Sequence, residues 1–130
     1  MTTIKQSQDQ VVQSSVTSIV TFDTFSTPTS LNIISLQNNM FRNNSGKSMK
    51  IKISYSIQVP KIINGTCEVM IISEGVKYAR NVSTGSEILT GNTVVSLGPN
   101  GIFYVIYTQD SGIPITFPSV NNLLNVVPVL

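Results

Sequence analysis

The chain has 130 residues, a formal net charge of +2, one cysteine, and neither histidine nor tryptophan. Without an imidazole it lacks the usual general base near neutral pH and the commonest zinc ligand, and a single cysteine cannot close an intrachain disulfide. Charged residues make up 11% of the sequence, against roughly 25% in an average soluble domain; Asn, Gln, Ser and Thr carry the polarity instead.

That length fits one domain with one continuous core. A low-charge, amide-rich exterior suits a fixed assembly or an extracellular setting better than dilute cytosol. Residues 1–10 contain no apolar run of the kind a signal peptide needs, and no stretch is long and apolar enough for membrane insertion. They are expected to form a flexible or partner-docking arm, with residues 11–130 as the single domain.

Residues 11–22 place Val12, Val16 and Ile19 at helical spacing, but β-branched residues set among Ser and Thr favour a strand. Residues 30–37 read as another strand. After the turn signal Asn43-Asn44-Ser45-Gly46-Lys47, residues 49–59 alternate strictly: Met49, Ile51, Ile53, Tyr55, Ile57 and Val59 against Lys50, Lys52, Ser54, Ser56 and Gln58. Period two over that length specifies a half-buried strand. Pro60 and Asn64-Gly65 end it.

Residues 67–73 and 76–82 flank Glu74-Gly75 and predict a tight hairpin. Cys67, at the start of that apolar run, reads as a small buried hydrophobe. Loop signals recur at residues 83–86 and at Gly91-Asn92, leaving residues 93–97 as a short strand. Gly98-Pro99-Asn100-Gly101 is the strongest turn in the chain, and residues 102–109 form a strand that is apolar on both sides. Ile102, Tyr104 and Ile106 point one way while Phe103, Val105 and Tyr107 point the other, so this strand is expected to be covered on both faces. Asp110-Ser111-Gly112 leads into a strand over residues 113–117. A last apolar run over residues 122–130 contains Pro128, which predicts an edge strand or an exposed terminus.

About eight to ten short strands, turns at regular intervals and no convincing helix predict an all-β sandwich or barrel, and an antiparallel two-sheet sandwich is the expected form. Catalytic and cofactor motifs are missing: neither GxGxxG nor a Walker loop occurs, and Asp9, Asp23, Glu68, Glu74, Glu87 and Asp110 are dispersed with no metal-ligand or glycosidase spacing. No cofactor, metal or catalytic residue is therefore expected. Lys47, Lys50 and Lys52 cluster, but their alternation on a strand reads as a solvated face that blocks edge pairing, and the charge is too small for nucleic acid.

The order of features resembles the jelly-roll domain of the C1q-like and tumour-necrosis-factor-like families, including their relatives on phage and virus fibres. The likeness lies in residues 41–57, a hydrophobic residue, a glycine turn and a long alternating strand. It continues in residues 94–105, a strand, turn and strand, and in the final hydrophobic run, where Leu124-Asn125 takes the place of the family's aromatic-glycine pair. A capsid-type jelly roll gives much the same pattern. The resemblance implies a jelly roll over roughly residues 31–130 and assembly as a homotrimer, with Tyr55, Phe103, Tyr107 and Leu124 as the first candidates for its interface. Each of these would equally well fill the monomer core.

Two functional classes follow. The first is a non-enzymatic structural or attachment protein of a virion or extracellular surface, a fibre head or capsid decoration, whose partners are itself and other surface proteins. The second is a carbohydrate-binding module that recognises a host glycan through Tyr78 or Tyr104 beside Asn and Ser side chains.

Overall fold

The computed structural model describes residues 2–25 and 34–129 of the chain. Its strands are β1 (Thr2–Gln6), β2 (Gln10–Val12), β3 (Ser18–Ile19), β4 (Phe22–Phe25), β5 (Ile34–Gln37), β6 (Met40–Asn43) and β7 (Met49–Lys61). They continue as β8 (Cys67–Ser73), β9 (Val76–Ser83), β10 (Gly85–Leu97), β11 (Ile102–Gln109), β12 (Ile115–Phe117) and β13 (Leu123–Pro128). A five-stranded sheet in the order β10-β7-β13-β1-β4 faces a six-stranded sheet that runs β5-β6-β11-β8-β9, with β3 also paired to β11. A short ribbon, β12-β2, closes one end. All pairings are antiparallel, as the predicted jelly-roll sandwich requires.

The alternation of β7 sets the geometry of the first sheet. Ile51, Ile53, Ile57 and Val59 are fully buried and Tyr55 nearly so, while the intervening lysines and serines face outward. From the opposite sheet, β11 sends Phe103, Val105 and Tyr107 into the same core. Phe41 and Phe103 stack with ring centroids 4.9 Å apart, and Tyr107 tilts against Phe117 at 4.5 Å. Such pairs add roughly 0.5–1.5 kcal/mol beyond the area they bury.

The hairpin at Glu74-Gly75 is present, with φ of 51° and 75° at its two central residues, the left-handed pair that a type I′ turn demands. Three other expectations are corrected. Residues 2–6 are no arm: β1 lies between β13 and β4, paired from Thr2↔Val126 to Lys5↔Leu123, with Ile4 fully buried. The other two inward positions of β1 are Thr2 and Gln6, so period two in polarity never shows. Residues 11–22 form no single strand but parts of β2, β3 and β4, broken where Ser15 adopts φ 59°. The final run is no edge: β13 sits between β7 and β1, and its proline is tolerated because it is the last residue of the strand.

The break predicted at Gly91-Asn92 is also absent, and β10 runs unbroken through it. Gly91 pairs with Tyr55 across the ladder, and a Cβ on Gly91 would stand 2.5 Å from the Tyr55 ring. The glycine makes room for the aromatic ring, a packing role that a turn reading overlooks. Residues 30–33 of the expected strand at 30–37 lie outside the described residues; Ile34–Gln37 is β5.

Candidate interaction surfaces and a polar groove

The four residues named as a possible oligomer interface all belong to the core of one chain. Tyr55 is 3% exposed, and Phe103, Tyr107 and Leu124 are 0% exposed. Their inward direction follows from strand alternation, and none can line a contact between copies. A Phe103→Asp substitution would thus report on the core rather than on association.

Tyr55 uses its polar end to lace the two sheets together. Its hydroxyl donates to the Ala79 carbonyl at 2.5 Å and accepts from Asn81 Nδ2 at 2.6 Å, while Asn81 also donates to the Thr90 carbonyl at 2.9 Å. These bonds join β7, β9 and β10 along one side of the sandwich. At the end of the sandwich formed by the β6–β7 and β10–β11 connections, buried Asn43 has an equivalent role. Its Nδ2 donates to the carbonyls of Lys47 (2.8 Å), Leu97 (3.2 Å) and Gly98 (3.0 Å), and its Oδ1 accepts from the Ser45 backbone N–H and hydroxyl. Cys67 is buried as expected, and burial pushes its thiol up to about 12.

The two tyrosines considered for sugar stacking are on opposite sides of the six-stranded sheet. Tyr78 packs inward against the main core, whereas Tyr104 packs outward beside Ile19 against Met70, Ile72 and Ile106. They form no shared platform. The outward cluster confirms that β11 is apolar on both sides, but Met70, Ile72 and Ile106 are only 3%, 8% and 6% exposed, so they have little area left to offer another molecule.

The outer face of the five-stranded sheet differs in character. In register across β10, β7, β13 and β1 lies the row Asn92, Ser54, Asn125 and Thr3, with the Thr3 hydroxyl donating to Asn125 Oδ1 at 2.8 Å. Exposed Ile88 and Val94 on β10 and half-buried Leu123 and Val127 on β13 flank this row, and Lys50 and Lys52 occupy one end. Among the described residues of β7, β10 and β13, the only carboxylate is Glu87, and it pairs with inward-facing Val59 near the end of β10. The outward positions of these strands are therefore free of acids.

At the opposite end of that sheet, a groove of about 410 Å³ opens between Lys5 and Gln6 of β1 and residues 119–123. Its floor is a buried polar network. Asn122 Nδ2 donates to Gln6 Oε1 (2.8 Å) and to the Pro118 carbonyl (2.8 Å), its Oδ1 accepts from the Gln58 backbone N–H (2.8 Å), and the Tyr107 hydroxyl donates to Gln6 Oε1 (3.3 Å). Gln6 Nε2 in turn donates to Gln10 Oε1 and Thr21 Oγ1. Asp9 Oδ1 clamps the loop by accepting from the Ser119 N–H (2.8 Å) and hydroxyl (2.9 Å). These bonds, the backbone N–H first, hold the Asp9 carboxyl below its usual range. No local pattern marks this network, because Gln6 and Asn122 look like ordinary surface amides until the strands bring them together.

The remaining polar chemistry is local. Asp110 Oδ1 caps the Thr66 N–H, Asp23 binds Ser7, and Glu68 pairs with Arg80. Among the described residues no group of three or more His, Cys, Asp or Glu side chains could hold a metal.

No family model and no curated protein matches the chain. Its fold is similar to that of the globular domain of zebrafish complement 1qA protein, at 11% identity and a TM-score of 0.53, over 99% of this chain and 96% of that one. A weaker likeness, at 14% identity and a TM-score of 0.40, is to CBM35 from Cellvibrio japonicus Abf62, over 96% of this chain and 91% of that one. At these identities the first likeness establishes the sandwich fold and nothing about activity.

Proposed function

We propose that this jelly-roll chain is a non-catalytic structural or attachment module that self-associates as a homotrimer on the surface of a virion or another extracellular structure, alongside other proteins of that surface. The observation that carries this reading is the acid-free outward face of β7, β10 and β13. Its central row offers hydroxyls and amides that both donate and accept, flanked by Ile88, Val94 and Val127. Burying the central row against the same groups of another copy desolvates no carboxylate, which would cost several kcal/mol, provided Lys50 and Lys52 stay in water at the end of the face. A closed ring can then bury about 800 Å² of each chain at every contact, the share per partner in a standard specific interface. The support thus moves from the inward aromatics to the outward face of β7, β10 and β13. Asp9, Asp23 and Asp110 are engaged in loop caps and Glu68 in a surface ion pair, which favours a non-catalytic role.

Light scattering coupled to size exclusion tests the proposal. Wild-type protein is expected at three times the chain mass. Ser54→Glu combined with Asn125→Glu, which places like charges at the centre of the face, is expected to give folded monomers with an unchanged far-UV circular dichroism spectrum. A wild-type monomer throughout the micromolar range, or a charged variant that remains trimeric, would refute it.

A further inference from the structure

We propose that the groove between β1 and residues 119–123 is a binding site for a neutral, polyhydroxylated ligand, the terminal sugar of a glycan. The site is distinct from the tyrosines on the six-stranded sheet and is complete within one chain. At about 410 Å³ it falls within the roughly 300–1,000 Å³ typical of small-molecule pockets.

Three features favour a sugar. The first is an unsatisfied rim over a satisfied floor. The buried amides of Gln6 and Asn122 are consumed by internal bonds, whereas among the described residues neither the Lys5 ammonium nor the Asn121 side-chain amide has a hydrogen-bond partner. An amide that both donates and accepts, next to an ammonium that only donates, matches vicinal hydroxyls, which do both.

The second is rigidity. Asp9 clamps Ser119, Asn122 is tied to Gln6, Pro118 and Gln58, and Asn121 is held at φ 68°. Asn tolerates this left-handed conformation better than most residues, and a loop fixed beforehand loses little entropy on binding. The third is charge and shape. No carboxylate lines the groove among the described residues, while Asp9, on the lining residue Ser119, and Asp23, on Ser7 two positions from Lys5, place negative charge at its border. That balance favours a neutral ligand over an anion, and exposed Val120 with half-buried Leu123 provides aliphatic surface for the C–H face of a pyranose. With no aromatic plate in the lining, affinity per groove is expected in the millimolar range, and three grooves on one assembly would raise it through avidity.

The test is a titration of ¹⁵N-labelled protein followed by two-dimensional NMR, with glucose, galactose, mannose and N-acetylglucosamine as neutral probes and glucuronate as an anionic one. Saturable shifts at Lys5, Gln6 and residues 119–123 are expected with at least one neutral sugar. Lys5→Met keeps the aliphatic stem without the charge, and Asn121→Gly keeps the positive φ without the amide. Either change should weaken binding by about tenfold or more while leaving peaks outside the groove in place. The inference is overturned if no neutral sugar gives saturable shifts, if both variants bind as wild type does, or if glucuronate binds more tightly than every neutral sugar. The mass measurement above stands or falls separately, because each chain holds a whole groove.

Discussion

Replacing Gly91 with alanine sets intrinsic propensity against packing, and the two predict opposite signs. By propensity, alanine in a strand interior is favoured over glycine by about 0.5–1 kcal/mol. In this fold the added Cβ would stand 2.5 Å from Tyr55 Cζ and 2.6 Å from both Cε2 and the hydroxyl oxygen. The ring cannot retreat freely, since its hydroxyl is bonded to Ala79 and Asn81 and the side chain is 3% exposed. Overpacking costs roughly 1–3 kcal/mol, and losing a buried hydrogen bond adds about 1 kcal/mol. With the propensity gain subtracted, the expected net loss is about 1–3.5 kcal/mol, a fall in melting temperature of roughly 3–13 °C at this chain length.

Urea unfolding followed by circular dichroism and tyrosine fluorescence, the chain having no tryptophan, would measure the loss. Tyr55→Leu is destabilising by itself, but in the Gly91→Ala background it should restore part of what the clash removes, giving a favourable coupling energy. A Gly91→Ala protein as stable as wild type, or additive behaviour of the two changes, would refute the argument.

Asn43→Ala removes the donor to three carbonyls and the acceptor of the Ser45 bonds, so a loss of about 2–4 kcal/mol is expected by chemical denaturation; a change under 1 kcal/mol would show that water replaces the network (about the worth of a single bond). Stability should be flat between about pH 5 and 8, because no histidine titrates there. It should fall on the alkaline side, where burial raises the Cys67 thiol from 9.0 to about 12 and also raises Tyr55 and Tyr107. A raised pKa in the folded state gives full stability below the unfolded value and loses it as pH rises toward the folded one, so the decline begins near pH 9 and Cys67→Ala should delay its onset. On the acid side Asp9 and Asp23 are lowered, and their contribution is lost as pH falls below the ordinary carboxylate range, which a pH series of melting curves would reveal. In the native protein Cys67 should resist iodoacetamide and react only on unfolding; rapid native labelling would contradict its burial.

The strands that sequence alone determined are those whose own alternation specifies a face. β7 announces itself through six apolar residues at period two, β11 through apolar residues on both sides, and the β8–β9 hairpin through Glu74-Gly75, because in each case the signal is local and the sandwich only has to accept it. What the tertiary structure decided is where polar residues are buried. β1 was invisible because Thr2 and Gln6 occupy its inward positions: β13 and β4 cover both, the Asn122–Tyr107 network satisfies Gln6, and the Thr2 hydroxyl oxygen is buried without a hydrogen-bond partner among the described residues. Gly91 reads as a turn until Tyr55 is seen to fill the space above it, and Tyr55, Phe103, Tyr107 and Leu124 read equally as interface or core until alternation across two facing sheets fixes their direction. The groove has the same origin: Lys5 and Asn121 are 116 positions apart in the sequence, and only the pairing of β1 with β13 brings their side chains to a common rim. Period and turn chemistry are properties of neighbouring residues, whereas burial of a polar group depends on partners that the chain supplies from its other end.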